Sequence, residues 1–169
     1  MHWMNQTMSL QIFTIGVYGY DEPHFFQSLL DARIDLLVDI RRRRALRDSQ
    51  YAFANSQRLQ QRLAELEIPY IHYLALAPSN AARQVQTIYD RLLGISKRER
   101  QRLAPDFIAA YRRECLQQFD AQRFLDLLGT DHPRLAFLCV ECQPAACHRS
   151  LVAEHFAVLG AAVTHLVPS

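Results

Sequence analysis

The reactive side chains of this chain are concentrated in one stretch, Leu138-Cys139-Val140-Glu141-Cys142-Gln143-Pro144-Ala145-Ala146-Cys147-His148-Arg149-Ser150. It holds three of the four cysteines, with a carboxylate, an imidazole and a guanidinium close by. An apolar run over 135–140 leads in, and an amphipathic run over 150–159 leads out. This spacing predicts a strand, a tight loop and a helix, with the reactive groups at the strand's C-terminal end. Ligand sites of α/β proteins gather there.

Three chemistries suit these residue types. Cys139 and Cys142 have the separation of a zinc knuckle, and Cys147 with His148 could complete a tetrahedral set. Adjacent ligands chelate one ion poorly, and the usual second pair of spaced ligands is missing, so neither a metal nor another cofactor is expected. Cys147 stands where a helix would begin, and a thiolate there is favoured by free N–H groups and by the positive character of His148 and Arg149. That makes Cys147 a candidate nucleophile, and a packed thiol beside the helix start is the equal alternative. Cys139, inside the apolar run, reads as a small core residue. Anion binding asks least of the chain, because a helix start flanked by His148, Arg149 and Ser150 already attracts phosphate or carboxylate.

Other groups fall at comparable places. Arg41 follows a second apolar run and could clamp an anion with two parallel hydrogen bonds. Asp39 and Glu141 are carboxylates at two strand ends. Paired carboxylates can divide acid and base roles, although Asp39 reads better as the structural partner of Arg41 or Arg149. Glu141 stays open between proton transfer and a structural pair. Gly16, Tyr18, Tyr20, His72 and Tyr73 are candidates for the rim.

The elements that must position these groups follow from periodicity. A strand is expected over 10–15, ending at Gly16. A helix then opens at Asp21 or Glu22 before Pro23 and carries Phe25, Phe26, Leu29 and Leu30. The run 34–40 is nearly all apolar, as in a strand covered on both faces of a parallel sheet. Ser56 is expected to cap a helix through Leu59, Leu63 and Leu66, and 69–74 reads as a third strand. Residues from about 80 to 129 look helical without a strand pattern. The cysteine strand, its helix and a last strand over 163–167 follow. The expectation is a three-layer α/β fold, a mostly parallel sheet of about five strands with a helical insertion before the fourth. It forms one domain over 10–169 behind a loose leader, residues 1–9. Parallel strands put their C-terminal ends on one edge, so Gly16, Asp39, Arg41, Glu141 and Arg149 are expected to line one cavity.

Composition narrows the class. The 169 residues are half apolar with few glycines and prolines, which excludes extended disorder. A net charge of +2 does not by itself argue for nucleic acid. Basic residues cluster, however, at Arg41, Arg42, Arg43, Arg44 and Arg47, and again at Lys97, Arg98, Arg100 and Arg102. The second cluster reads as a solvated face. No run reaches the length of a membrane span, and the N-terminus lacks a secretory layout. Crowded cysteines do not suit a disulfide framework. A soluble cytoplasmic protein without a membrane partner is expected.

These residues resemble the bacterial and archaeal family known as domain of unknown function 488. The resemblance rests on Thr14-Ile15-Gly16, Asp39-Ile40-Arg41, Cys139-Val140-Glu141 and Cys147-His148-Arg149, and it runs from about residue 10 to 167. The chain departs from the family pattern at Val17-Tyr18-Gly19-Tyr20, at Arg42-Arg43-Arg44 and at Leu74-Ala75-Leu76-Ala77, and Cys142 lies outside it. The resemblance implies an α/β fold and a shared polar site, with no established activity. The reading favoured at this point is an enzyme, of hydrolase or transferase type, acting on a small anionic, phosphate-bearing or nucleotide-like substrate. Arg41, Arg149 and the start at Cys147-His148 would hold the anion, with Gly16, Tyr18, Asp39 and Ser150 around it, and Glu141 or His148 would transfer protons. Two alternatives stand beside it. One is a nucleic-acid-binding or regulatory module using the basic run after the second strand. The other is a redox-responsive protein using its cysteines.

Overall fold

The computed structural model describes residues 9–129 and 131–169. Residues 1–8 of the expected leader lie outside the described residues. Five strands, β1 (Gln11–Ile15), β2 (Leu36–Asp39), β3 (Tyr70–His72), β4 (Arg134–Leu138) and β5 (Ala162–Leu166), form one sheet in the order β3-β2-β4-β1-β5. Every pairing is parallel. Helices α1 (Glu22–Asp31), α2 (Ser56–Glu65), α3 (Asn80–Leu93), α4 (Pro105–Tyr111), α5 (Ala121–Leu128) and α6 (Arg149–Val158) complete a three-layer α/β fold. No described helix is long and apolar enough to cross a membrane.

The two core layers follow from the period-2 alternation of the buried strands. Leu135 and Phe137 of β4 face one side with Ile12, Leu36 and Val38, against Phe107, Tyr111, Phe124, Val152 and Phe156. Ala136 and Leu138 face the other with Phe13, Ile15 and Leu37, against Phe25, Phe26, Leu29, Leu59 and Leu63. Thus α4, α5 and α6 cover one face, and α1 and α2 cover the other.

This arrangement fixes where a site can be. The connections after β1 and β2 run to one face, while the connection after the intervening β4 runs to the opposite face through α6. Neighbouring strands whose chains leave in opposite directions open a crevice at their C-terminal ends. Register places His72, Asp39, Leu138, Ile15 and Leu166 in one row across that edge.

The first helix opens where expected, and several later boundaries differ for local reasons. Asp21 is the N-cap of α1, its carboxylate accepting from the His24 amide at 2.9 Å. Ser56 is the first helical residue of α2 and Asn55 is the cap, but the Asn55 side chain accepts from the Leu46 amide at 2.6 Å instead. The third strand stops at His72, and Leu74–Leu76 turn as a 3-10 helix. Ser49–Ala54 form another 3-10 turn that buries Tyr51 and Phe53. The insertion lies before β4 as expected, and α4 continues as a π turn over Arg112–Leu116.

Candidate functional site

Cys139 is the first residue beyond β4, its amide still bonded to the Ile15 carbonyl at 3.0 Å. Its side chain therefore projects from the end of the sheet rather than from within it. Cys147 has an extended backbone (φ −137°, ψ 144°), while His148 is already helical (φ −63°, ψ −16°). This break turns two consecutive side chains toward one point. The Cys139 sulfur, the Cys147 sulfur and a His148 ring nitrogen all lie within 4.8 Å of one another. Cys139 was expected inside the strand; it lies one residue beyond β4, and there its sulfur approaches the adjacent Cys147-His148 pair.

The partners of this trio are defined. His148 Nδ1 is 3.5 Å from Cys139 Sγ and 3.9 Å from Cys147 Sγ, and its Nε2 is 3.0 Å from the Ile40 carbonyl. A carbonyl only accepts, so Nε2 carries the hydrogen and Nδ1 faces the sulfurs. Burial works against a Cys147 thiolate. The hydrogen bond from Cys139 and the positive character of His148 and Arg149 outweigh it, holding Cys147 well below an ordinary thiol. Burial pushes Cys139 well above it.

Glu141 stands beside the trio, with Oε2 3.5 Å from Cys139 Sγ. Its other oxygen accepts from Arg100 at 3.0 Å and lies 3.5 Å from Lys97 Nζ. Arg100 is in turn bonded to Asp90 at 2.6 Å, and Gln86 links Asp90 (2.8 Å) to the Ala104 amide (2.8 Å). This buried network joins α3 and the loop after it to the end of β4.

Above the trio lies a cavity of about 400 Å³. Cys139, Glu141, Cys147 and His148 form its floor. Arg42, Arg43, Arg83, Arg91, Lys97 and Arg100 bring cations to its walls, and Ile88, Leu103 and Phe107 supply apolar surface. Arg42 donates to the Pro78 carbonyl at 2.8 Å. Among the described residues, Arg43 and Arg83 have no ion-pair partner. Burial, and then the proximity of Arg43, pull Arg83 below an ordinary guanidinium. Crowded cations without counter-charges give this part of the cavity a positive field.

The expected site residues divide into those that meet in the cavity and those that hold its frame. Arg41 and Glu141 border it with Cys147 and His148, while Gly16, Tyr18, Asp39, Arg149 and Ser150 do not. The Arg41 guanidinium is turned inward. It donates to both oxygens of Asp39 (2.9 and 2.8 Å) and to the Ala54 carbonyl (2.9 Å), and Tyr70 donates to Asp39 at 2.7 Å. The structural reading of Asp39 agrees with this pairing. Arg149, fully buried, donates to the carbonyls of Glu141 and Cys142 (3.0 Å for Cys142) and to the Thr14 hydroxyl at 3.3 Å. Gly16 permits that contact, because a Cβ there would fall 2.0 Å from the Glu141 carbonyl oxygen. Ser150 donates to the Cys147 carbonyl at 2.8 Å, and Tyr18 packs on Tyr51 with ring centres 5.1 Å apart. His72 meets the Arg41 carbonyl at 2.8 Å, Tyr20 accepts from Ser28 at 3.2 Å, and Tyr73 packs on Phe124.

The second basic cluster is not simply a solvated face. Lys97 and Arg100 turn into the cavity toward Glu141, and Arg98 pairs with Asp48 while lying over the Tyr18 and Tyr51 rings. Arg98 remains about half exposed, and Arg102 is exposed as expected. Sequence reasoning also missed Arg83, Gln86 and Asp90. Their signal was a polar stripe at helical spacing on a helix whose other positions, Val85 and Tyr89, are apolar.

No curated protein matches this chain, and no solved structure matches it. The cysteine strand end and the Cys-His-Arg helix start do fall within a family match that spans residues 23–156, most of the chain. The protein belongs to the family described as domain of unknown function DUF488.

Proposed function

We propose that this protein is an enzyme acting on an anionic, phosphate-bearing or nucleotide-like substrate at the C-terminal edge of its parallel sheet. The observation that carries the reading is a single cavity whose walls hold unpaired cations and whose floor holds Cys139, Cys147, His148 and Glu141. A surface that only gathers anions has no need of a buried sulfur and imidazole cluster beneath it. In this reading Arg43 and Arg83 take the phosphate, with Arg42 and Arg91 at the rim. The reacting part of the substrate reaches Cys147 and His148, and Glu141, oriented by Arg100 and Lys97, transfers a proton. Arg41 and Arg149 act as positioning residues, because their guanidinium groups hold the loops that carry the floor. Ile88, Leu103 and Phe107 limit water at the reacting end.

The test is a turnover screen of the purified protein against phosphorylated metabolites and nucleotides. With a substrate in hand, Arg43→Ala and Arg83→Ala should each raise KM by roughly 10- to 100-fold while kcat changes little, the effect of losing one charge-assisted contact. Glu141→Gln should lower kcat by about 10²- to 10⁴-fold. Full activity in Glu141→Gln, or unchanged KM in both arginine variants, would sink the reading. Turnover of nothing, together with DNA or RNA binding that falls steeply with salt, would replace it with the binding-module alternative.

A further inference from the structure

We propose that Cys139 Sγ, Cys147 Sγ and His148 Nδ1 form a Zn²⁺ site whose fourth position opens into the cavity. The first support is donor spacing. With ordinary bond lengths, a tetrahedral zinc ion holds a sulfur and a nitrogen about 3.6 Å apart and two sulfurs about 3.8 Å apart. The two sulfur–nitrogen distances here are 3.5 and 3.9 Å, and all three donors fall within 4.8 Å of one another. The two sulfur–nitrogen separations are therefore close to those an ion requires, and the two sulfurs would have at most about 1 Å to draw together.

The second support is the histidine. Metal-bound imidazoles usually donate their other ring N–H to a carbonyl or carboxylate, which fixes the tautomer. His148 does this to the Ile40 carbonyl, leaving Nδ1 aimed between two sulfurs.

The third support is burial. Cys139, Cys147 and His148 are 5%, 1% and 5% exposed, and all three border the cavity. Two thiolates and one imidazole are soft donors that select zinc over magnesium or calcium. Two thiolates also balance the charge of a divalent ion, and binding displaces their protons to solvent. Glu141 is not in the donor trio. It lies on the cavity side, where it can accept a proton from water bound at the open position. In this arrangement Cys147 would be a ligand rather than a nucleophile, and the ion would lower the pKa of a water at the open position. That use of the metal rests on the enzyme reading above, whereas its binding does not.

The test uses the whole chain. Zinc is measured in the purified protein, then removed with a chelator, and the metal-free protein is titrated with Co²⁺. The expected results are stoichiometric zinc uptake and, with cobalt, a near-ultraviolet sulfur-to-metal charge-transfer band and the intense visible bands of tetrahedral coordination. Cys139→Ser and Cys147→Ser should each diminish that charge-transfer band, and Cys142→Ser should leave it unchanged. Folded wild-type protein that takes up neither ion overturns the proposal, as does loss of the band in Cys142→Ser with retention in Cys147→Ser. The wild-type titration decides even where a serine variant does not fold. Zinc binding without turnover of any substrate refutes the enzyme reading alone, and full turnover by protein shown to be metal-free refutes the metal site's catalytic use alone.

Discussion

Arg149→Met separates a frame role from a ligand role. The wild-type guanidinium is fully buried, has no carboxylate partner among the described residues, and donates to Thr14, Glu141 and Cys142. Methionine fills similar volume and leaves two backbone carbonyls without donors. A hydrogen bond to a charged group contributes about 1.5–3 kcal/mol, and a buried acceptor left unsatisfied costs about 1–3 kcal/mol. Relief from burying the charge offsets part of this, so the net loss should be about 3–5 kcal/mol. In a domain of this size the melting midpoint should then fall by about 6–20 °C. Urea and thermal unfolding monitored by circular dichroism measure the loss directly. Arg149→Lys keeps the charge but cannot reach three separated acceptors, and it should still lose about 1–3 kcal/mol. A loss under about 1 kcal/mol in Arg149→Met, the range of surface changes, would refute the frame role. Near-native stability with a large rise in KM would show instead that Arg149 binds substrate.

Asp39→Ala should destabilise by about 3–5 kcal/mol because it strands buried Arg41, and adding Arg41→Met should recover part of that loss in a denaturation double-mutant cycle. Additive losses would show that the pair is not coupled. Gly16→Ala should lower stability by about 3 kcal/mol or more, since its Cβ must displace the Glu141 carbonyl, and wild-type urea unfolding would contradict the close approach. Burial first, and then the Asp39 carboxylate, push the Tyr70 hydroxyl up to about 12. A raised folded pKa means that its contribution is intact below the ordinary tyrosine range and is lost as pH rises through about 12. Tyr70→Phe should remove that component of the alkaline stability loss, and an unchanged alkaline limb would count against it.

The sheet was legible because Leu36, Leu37 and Val38, or Leu135 to Leu138, form short apolar runs that only a doubly covered strand uses. The crevice was legible for a related reason, since parallel strands bring their C-terminal ends to one edge. What the pattern could not reveal was side-chain direction. Arg41 and Arg149 sit at the right edge, yet both guanidinium groups turn into the frame, where a carboxylate or backbone carbonyls meet them. Conversely, Lys97 and Arg100 looked like surface charge because their partners, Glu141 and Asp90, are remote in sequence. The Cys139 convergence was hidden by two residues of strand length. A strand reaching residue 140 would have kept that sulfur inside the sheet, whereas β4 ends at Leu138.

Floor and wall of the cavity come from different parts of the chain. The floor hangs from β4 and α6 and is locked to the central strands by Gly16 and Arg149. Much of the wall is the face of α3, which belongs to the insertion and makes no strand pairing. Substitutions at Arg83, Thr87 or Arg91 can therefore alter what enters without disturbing a sheet contact. A fold divided this way can change the lining of its cavity while the floor stays fixed, because the α3 residues that shape the wall are not those that knit the sheet together.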